Sequence, residues 1–453
     1  MKTLLLEIGT EEIPAGYIEP ALKALSFSLL KKLDENRLTY SSANTYGTPR
    51  RLAIKVRNLS ARQKSITSEI IGPPEKIGFD ENKNLLTPAI KFAEKAGISP
   101  EKLRIKNTDK GRYIYATVTQ PCLSSKTILK EILPRIILSI PFPKTMRWGN
   151  LSISFARPIQ WILAILDKEA ISFKLGNLTS QRRSFGHRFM HPGKIKVRMA
   201  DEYEKLLNIA FVMPEKEARR KYIENEIKKA ADLTKAKALP DEELIDIVTY
   251  LVEYPVVAVG KFNEKFLKLP KEILITAMRE HQKYFALTDS DDKLIPNFIV
   301  VNNIFANNMD LIVKGHERVL RARLEDAMFF YKNDAAVPLE SNIEKLKGVL
   351  FQARLGSMYD KTLRVEKLSG FIAERIYFKN LSVEKTCTEF KTSASRAAML
   401  CKADLVSQVV IEFPKLQGVM GRIYASISKE SDEVPSAIEE HYMPAYSGGP
   451  LPE

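Results

Sequence analysis

The sequence Thr3-Leu4-Leu5-Leu6-Glu7-Ile8-Gly9-Thr10-Glu11-Glu12-Ile13-Pro14 contains two contrasting structural signals. The apolar run over residues 3–8 predicts a buried strand, which ends at Gly9. The acidic residues and the proline that follow are typical of a helix start, because carboxylates are stabilised near the positive end of the helix dipole. Apolar residues then recur at spacings of four, three and four, at Ile18, Leu22, Leu25 and Leu29. These positions share one face of a helix, so the chain is predicted to begin with a strand followed by a helix.

A second strand is predicted after the turn residues 44–49. Apolar side chains alternate there with mostly cationic ones, the first set being Leu52, Ile54 and Val56 and the second Arg51, Ala53, Lys55 and Arg57. Such alternation predicts one apolar and one largely cationic face. The cationic face could be solvated or phosphate-binding, and a solvated face is the usual case.

Farther along the chain, strand patterns give way to helix patterns. Residues 113–119 alternate, and the segments 161–166 and 171–175 flank a short polar turn, which predicts a hairpin. From about residue 200 the pattern is that of amphipathic, charge-paired helices, interrupted by the apolar stretch 254–259 and the strand-like stretch 297–301. Beyond about residue 340 nearly all of the sequence favours helix.

We therefore predict an α+β, multidomain fold, with a mixed α/β amino-terminal half followed by an all-helical region. The predicted organisation is an α+β amino-terminal region at 1–200, a mixed helical middle region at 201–338 and a helical region at 339–453. A chain of 453 residues is long enough for several domains that each bury a core.

The charge of the chain points to a polyanionic partner without proving one. The formal net charge is +15, and residues 142–199 hold eleven Lys and Arg residues against two acidic residues. A concentrated field of one sign attracts nucleic acids and makes their binding salt-dependent. Charge alone leaves RNA binding and a merely basic protein about equally supported.

The cysteine pattern and the hydropathy predict a cytoplasmic protein. Cys122, Cys387 and Cys401 are far apart and form no CxxC pair, so neither a disulfide framework nor a thiolate zinc site is indicated. Glu7 and the acidic residues at 11–12 interrupt the apolar core that a signal peptide would need. No apolar run approaches the roughly 20 residues that cross a bilayer, so no membrane partner is expected.

Familiar catalytic motifs are missing from the sequence. It contains neither a GxxxxGK[ST] phosphate loop nor a strand-coupled GxGxxG. His187 and His191 have a spacing that could begin a zinc site on a helix, but Gly186 and Pro192 bracket them and favour a loop. RNA contact or structural packing explains these histidines better than metal binding, and we predict no catalytic residue and no metal site.

Motifs that combine cations with aromatic rings suggest RNA as the first partner to consider. Guanidinium groups pair with phosphates, while rings and guanidinium planes stack on unpaired bases. The candidates for RNA contact are Arg50, Arg51, Lys144, Arg147, Trp148, Arg182, Arg183, His187, Arg188, Arg279, His281, Lys283, Arg318 and Arg323. In the predicted helix 316–331, Arg321 can form ion pairs with Glu317 and Glu325, which leaves Arg318 and Arg323 as the freer cations.

A series of longer motifs runs in one order along nearly the whole chain. They are 5–14 (LLEIGTEEIP), 48–52 (TPRRL), 142–149 (FPKTMRWG), 155–159 (FARPI), 186–189 (GHRF), 279–285 (REHQKYF), 318–327 (RVLRARLEDA), 350–352 (LFQ), 402–405 (KADL), 412–414 (EFP) and 440–442 (EHY). Together they closely resemble the β subunit of the bacterial two-subunit (α2β2) glycyl-tRNA synthetase.

The resemblance implies a division of labour between subunits. In this family the α subunit carries the class II active site, which uses glycine, ATP and Mg²⁺, and the β subunit binds tRNA(Gly) and positions its 3′ end. The implied partners are the α subunit and tRNA(Gly) in an α2β2 heterotetramer, with no cofactor held by this chain. The basic motifs would orient the tRNA rather than perform acid–base chemistry.

Two departures from the family pattern affect this interpretation. Members of the family are considerably longer and end in a helical anticodon-binding domain, so this chain is expected to be a fragment or to have its missing part encoded separately. The helical region 339–453 also resembles HD-type metal phosphohydrolases, but Ala403 stands where their metal-binding histidine is expected.

Asp404 alone, beside Lys402, cannot supply the several convergent ligands that a divalent cation needs. We therefore predict that Asp404 is a hydrogen-bonding or ion-pairing residue between helices. An HD-type metal phosphohydrolase and a stand-alone RNA-binding protein are the alternative functions.

Overall fold

The computed structural model describes residues 1–80, 84–119, 122–377 and 386–452, and these form two compact units. The first unit comprises Met1–Arg219 and Thr249–Tyr254, and the second comprises Arg220–Val248 and Pro255–Glu453. The predicted α+β, multidomain class is confirmed, with sheets in the amino-terminal half and mostly helices in the carboxyl-terminal part. The predicted boundaries at residues 200 and 338 stay predictions.

The elements up to residue 233 include both strands and helices. In chain order they are β1 Lys2–Thr10, α1 Ala15–Glu35, β2 Ser42–Thr48, β3 Arg51–Leu59, β4 Thr67–Pro74, α2 Glu75–Gly78, α3 Thr87–Ala96, β5 Arg104–Thr108, β6 Gly111–Thr119, α4 Ser125–Ser139, β7 Ile159–Leu166, β8 Glu169–Ala170, β9 Lys174–Leu175, β10 Leu178–Thr179, β11 Arg183–Phe185, β12 Lys194–Lys196, α5 Tyr203–Ile209 and α6 Lys216–Leu233. Both the first strand and the first helix lie where the opening sequence predicts them.

The later elements are mainly helical. They are β13 Lys237–Ala238, α7 Glu242–Thr249, β14 Val256–Lys261, α8 Lys271–Thr276, β15 Phe285–Thr288, β16 Leu294–Asn302, α9 Met309–Ala335, β17 Leu350–Gln352, β18 Gly356–Ser357, α10 Met358–Tyr377, α11 Cys387–Leu400, α12 Gln408–Glu412, α13 Val419–Ile427 and α14 Glu433–Glu440. A π-helix at Ala277–Gln282 and short 3-10 turns join them. The small β17–β18 hairpin is an exception to the all-helical carboxyl-terminal region that the sequence predicts.

A five-stranded antiparallel sheet in the order β2-β3-β1-β7-β8 organises the first unit. One face carries Leu4, Leu6 and Ile8 of β1 with the apolar side chains of β3, and packs against α1 and α4. These side chains are fully buried. Removing this apolar surface from water is the main stabilising contribution to the unit.

The second face of this sheet is also buried. It holds Leu5, Ala53 and Leu163, and is covered by the segment 195–212, which includes α5. Arg51 and Lys55 lie on this face and have exposed fractions of 0% and 1%. Neither expectation for the cationic face of β3 holds, because α5 and its flanking segments exclude water from most of it.

The predicted hairpin after Trp161 is correct only at its start. β7 turns into β8 at Asp167 and Lys168, and Ile165 pairs with Ala170. The chain then leaves the sheet, and β9 pairs with β10 instead. A separate three-stranded sheet, in the order β4-β6-β5, includes the alternating residues 113–119.

The second unit combines a four-stranded antiparallel sheet, β13-β15-β16-β14, with the helices that follow it. The predicted strand at 297–301 lies within β16, and the predicted helix at 316–331 lies within the longer α9. Leu320, Leu324 and Ala327 form the buried face of α9, as the sequence pattern indicates.

The acidic residues of α9 do not form the predicted pairs with Arg321. Glu317 accepts a hydrogen bond from the Lys261 backbone N–H, and Glu325 Oε1 lies 3.8 Å from Lys265 Nζ. In the part of the chain that the structure describes, every helix is too short or too polar to cross a lipid bilayer.

Candidate nucleic-acid interface

A buried cluster of charged residues lies beneath the amino-terminal candidates. Arg51 Nη1 lies 3.2 Å from Glu7 Oε1, and Arg51 Nη2 lies 3.0 Å from Glu253 Oε1. All three side chains are at most 1% exposed. Arg50 is 11% exposed and places its Nη1 3.7 Å from Glu253 Oε2, so two arginines face two glutamates.

Polar neighbours satisfy most of the remaining hydrogen bonds of this cluster. Thr48 Oγ1 accepts from Arg51 Nε at 3.2 Å. Glu7 Oε1 accepts from Trp161 Nε1 at 3.0 Å and from Ser184 Oγ at 2.8 Å. The Trp161 ring lies close over Gly9, where a Cβ atom would come within 2.0 Å of the indole. Glycine is therefore required at position 9 for this tryptophan to reach Glu7.

The two carboxyl groups have opposite pKa shifts. Burial raises the pKa of Glu7 above its ordinary value, despite the opposing charge of Arg51 and the hydrogen bonds from Ser184 and Trp161. Burial also opposes ionisation of Glu253, but the charges of Arg51 and Arg50 outweigh it and lower the pKa. Glu253 is thus the principal counter-ion of the buried arginine.

The cluster also fixes the loop that carries the GHRF motif. Arg51 Nη2 donates to the Phe185 carbonyl at 3.1 Å, and Arg50 Nη1 donates to the Gly186 carbonyl at 3.5 Å. The His187 backbone N–H donates to the Ala210 carbonyl at 2.9 Å. Buried arginines therefore hold the backbone immediately before Arg188.

His187 belongs to the interior of this loop. Its side chain is 1% exposed, and its Nδ1 accepts from the backbone N–H groups of Phe189 and Met190 at 3.3 and 3.2 Å. His191 donates its backbone N–H to the His187 carbonyl at 3.0 Å. The predicted loop around these histidines is confirmed, and the geometry supports structural packing of His187.

Arg188 is the exposed cation at the tip of this loop. Its guanidinium forms an ion pair with Glu11 and lies 3.9 Å from Glu12. Glu11 also accepts from Gln160 Nε2 at 3.2 Å, which ties the loop to the start of β7. The next residue, Phe189, is 69% exposed, so an exposed cation and an exposed aromatic residue are consecutive in this loop.

The structure places the other amino-terminal candidates on neighbouring segments. Lys144 and Arg147 are exposed, whereas Trp148 is partly buried against the apolar core. Arg182 Nη2 donates to the Arg198 carbonyl at 2.8 Å, and Arg183 is exposed on β11. Lys144, Arg147 and Arg183 are thus available at the surface.

The remaining candidates belong to the second unit, and some are committed to internal contacts. Arg279 is 19% exposed and forms ion pairs with Asp241, Glu243 and Glu280. Lys283 Nζ donates to the Glu280 carbonyl at 3.0 Å. Three acidic partners leave Arg279 poorly suited to grip a phosphate.

His281, Arg318 and Arg323 are more accessible. His281 is exposed with its ring 5.5 Å from that of Phe413, and burial together with the charge of Arg323 lowers its pKa. Arg323 Nη1 lies 3.7 Å from Glu412 Oε1, and Arg318 is exposed on α9. Contact with RNA by any candidate stays a prediction, and the structure shows Arg51 and His187 to be buried.

Two residues that matter to this site escaped the sequence analysis. Glu253 is buried, although it directly precedes the apolar stretch 254–259, whose pattern gives no sign of a charged partner. Arg219 has no exposed surface and donates to the carbonyls of Thr249 at 2.8 Å and Gly47 at 2.6 Å. The available signal was Glu7, because a carboxylate inside an apolar strand requires a buried cation.

In the helical region, Asp404 is a hydrogen-bonding residue, as predicted. Its Oδ2 accepts from the backbone N–H groups of Gly418 at 2.6 Å and Gly421 at 3.1 Å, at the amino terminus of α13. Burial raises its pKa to about 6. Among the described residues, no group of three His, Cys, Asp or Glu side chains is arranged to hold a metal ion.

Comparison with known proteins gives consistent matches. A family model described as "Glycyl-tRNA synthetase beta subunit" matches residues 4–453. The glycine–tRNA ligase beta subunits of Desulforapulum autotrophicum and Desulfatibacillum aliphaticivorans are 49% and 47% identical to this chain over 452 residues. That of Clostridioides difficile is 42% identical over 450 residues.

The three alignments cover nearly all of this chain but not all of the relatives. They span 100%, 100% and 99% of the chain, and 64% of each relative. The chain thus corresponds to slightly less than two thirds of the length of the proteins it matches.

Proposed function

This chain belongs to the family of glycyl-tRNA synthetase beta subunits, and from that membership we propose that it binds tRNA(Gly) and positions its 3′ end for glycylation by a separate catalytic alpha subunit. The observation that carries the proposal is the match of the family over residues 4–453. ATP and Mg²⁺ are used by the complex through the alpha subunit. The assembly is an α2β2 heterotetramer that acts in the cytoplasm, where its tRNA substrate is found.

The GHRF loop supports a positioning role. Arg188 presents a planar cation next to the exposed ring of Phe189, a combination suited to a phosphate and an unpaired base. Arg51 and Arg50 hold the loop backbone from below. Orientation accelerates a reaction only when the geometry is held closely. Arg188 can therefore orient a bound tRNA more effectively because Arg50 and Arg51 fix the backbone of its loop.

The Arg188–Glu11 ion pair does not prevent this role. Both side chains are more than one third exposed, and exposed ion pairs contribute little to stability. A tRNA phosphate can therefore replace the Glu11 carboxylate as the partner of Arg188. The charge of residues 142–199 favours the approach of the polyanion.

The alternative functions receive less support. A metal phosphohydrolase needs Asp404 as a ligand, but this carboxylate is buried and accepts two backbone hydrogen bonds. Stoichiometric bound metal that is lost in Asp404→Ala would revive that function. A stand-alone RNA-binding protein would bind many RNAs alike and would not depend on an alpha subunit.

The decisive experiment is glycylation of tRNA(Gly) by a cognate alpha subunit, with and without this chain. ATP–pyrophosphate exchange is measured in parallel, because it reports adenylate formation alone. We expect tRNA glycylation to appear only when the chain is present. A version extended to the length of the relatives provides the matched comparison, since the chain spans 64% of them.

The outcomes separate clearly. Glycylation that requires the chain supports the proposal and shows that these residues suffice. Glycylation that appears only with the extended version supports the family role and indicates that the additional residues are needed to bind the tRNA. Adenylate formation without glycylation in both cases refutes the proposal.

A further inference from the structure

The three-stranded sheet β4-β6-β5 has one covered face and one open face. Helices α2 and α3 pack on the covered face, where a Cβ added at Gly72 would lie 2.6 Å from the Phe92 ring and one at Gly78 would lie 2.1 Å from Ile114 Cδ1. Ile114 and Ala116 of the central strand point to this face and are fully buried. The intervening residues of β6 therefore point to the opposite face.

Two tyrosines and two cations share this open face. Tyr113 and Tyr115 alternate with the buried residues of β6 and are partly exposed. In the antiparallel register, Lys106 lies opposite Tyr113 and Arg104 lies opposite Tyr115, so all four side chains project to the same side. Ile71 also lies opposite Tyr115, from β4, and is 56% exposed.

We propose that this open face binds an unpaired stretch of RNA, with bases stacked on Tyr113 and Tyr115 and phosphates paired with Arg104 and Lys106. Aromatic rings on an exposed sheet are sequence-tolerant platforms for bases, because every base has a π-face. Residues two apart on a strand are separated by about 6–7 Å, which suits splayed nucleotides better than a continuous stack. Cations on the adjacent strand then lie beside the sugar-phosphate backbone.

Lys106 shows how the face accommodates an anion. Its Nζ lies 5.9 Å from the centre of the Tyr115 ring and forms an ion pair with Glu69 across the central strand. Both side chains are about half exposed, so the pair is weak and open to competition. Glu69 is the acidic residue of this face nearest to Lys106, and an RNA phosphate takes over its position.

RNA is favoured over a protein partner by the chemistry of the face. Its central strand carries two rings with polar edges, β5 carries two exposed cations, and β4 adds the exposed aliphatic side chain of Ile71. Protein-binding surfaces are also rich in tyrosine and arginine, but their centres are depleted of lysine and glutamate, and both of these occur here as Lys106 and Glu69. This inference rests on the proposed function. It places contact with an unpaired part of the tRNA on residues outside the GHRF loop.

The test measures binding of a fluorescein-labelled cytidine oligonucleotide of about 12 nucleotides to the whole chain, by fluorescence anisotropy. We expect Tyr115→Leu to weaken binding about 5-fold or more, and Tyr115→Phe to bind like the unmodified chain, because stacking needs the ring. Glu69→Gln should strengthen binding, since it removes the competitor for Lys106. Binding should also weaken as salt is raised.

Matched controls come from the covered face of the same sheet. Arg112 lies on that side and pairs with Glu75 at 2.8 Å. Arg112→Gln removes the same charge as Arg104→Gln, but only the second should weaken binding. Unchanged thermal unfolding midpoints establish that each variant is folded.

Each result bears on the proposal in one direction. Equal binding by Tyr115→Leu and the unmodified chain would overturn it, as would equal losses in Arg112→Gln and Arg104→Gln. Loss of alpha-subunit binding in Tyr115→Leu, with RNA binding intact, would assign the face to a protein and also overturn it. If the oligonucleotide results hold while glycylation fails, the proposed function falls and the RNA face stands.

Discussion

Replacement of Arg51 by methionine should destabilise the first unit by about 3–5 kcal/mol, the usual cost of removing one partner from a buried ion pair. Methionine fills part of the volume but leaves Glu7 and Glu253 facing each other at the centre of the unit. The guanidinium also donates to Thr48 and to the Phe185 carbonyl, and these acceptors lose their donor. A typical domain is stable by about 5–15 kcal/mol, so the loss is a large fraction of the total.

Urea unfolding followed by tryptophan fluorescence is a suitable assay, because Trp161 donates to Glu7 within the cluster. Arg57→Met is the matched control, since Arg57 is also on β3 but is exposed, and we expect it to change stability by no more than about 0.5 kcal/mol. Adding Glu7→Gln to Arg51→Met should recover part of the loss by removing one unpaired charge.

Two results would contradict this reasoning. If Arg51→Met cost no more than Arg57→Met, the buried pairs would not stabilise the unit. If Glu7→Gln lowered the free energy of unfolding by the same amount in Arg51→Met as in the unmodified chain, the two side chains would act independently. In either case the support inferred for the GHRF loop would also be lost.

Three further predictions test other parts of the chain. Arg188→Ala should lower kcat/KM for tRNA(Gly) glycylation by about 10-fold, as expected for loss of a charge-assisted hydrogen bond. Pyrophosphate exchange by the alpha subunit should stay unchanged, as should both activities in the exposed control Lys23→Ala. Equal loss of both activities in Arg188→Ala would indicate a folding or interface defect. The folded state raises the pKa of Asp404 to about 6, above its ordinary 3.8, so protonation of this carboxyl group favours the folded state. The free energy of unfolding should therefore increase by about 1 kcal/mol as pH falls from about 7 to 5. Urea unfolding at both pH values should show this gain in the native chain but not in Asp404→Asn, and an identical pH dependence would exclude the effect. Arg219→Met should cost about 2–4 kcal/mol in urea unfolding because buried carbonyls lose a charged donor, and the inference fails if the exposed control Lys221→Met costs as much.

Local periodicity was sufficient to predict several elements of the fold. The run at residues 3–8 became β1, and the spacing of Ile18, Leu22, Leu25 and Leu29 matched the buried face of α1. The apolar face of α9 was predicted in the same way. These predictions succeeded because hydrophobic spacing along one element directly reports which of its sides is buried.

Pairing between distant segments could not be predicted in this way. The alternation in β3 showed that Arg51 and Lys55 share a face, but it could not show that α5 covers that face. The partner of Lys55 is Glu204, 149 residues away in sequence. A charge pattern within one strand contains no information about such a partner, so it cannot show that the face is buried.

The site shows the same limit. Arg279 and Arg188 looked equivalent in sequence, since each lies in a motif with a histidine and an aromatic residue. In the structure Arg279 is 19% exposed and has three acidic partners. By contrast, Arg188 is 40% exposed in a loop, and its neighbours Glu11 and Glu12 are themselves more than one third exposed. Availability of a cation depends on its counter-ions, which tertiary structure brings together from separate parts of the chain.

The short segment Thr249–Tyr254 has a consequence for how this protein is made. It belongs to the first unit, although residues 220–248 of the second unit precede it in the chain. During synthesis, Arg51 emerges from the ribosome about 200 residues before Glu253, so the nascent first unit lacks the principal counter-ion of this arginine until Glu253 has been added. Folding of that unit should therefore be completed only after part of the second unit has been translated. A fragment that ends at Arg219 should retain Arg51 without its principal counter-ion.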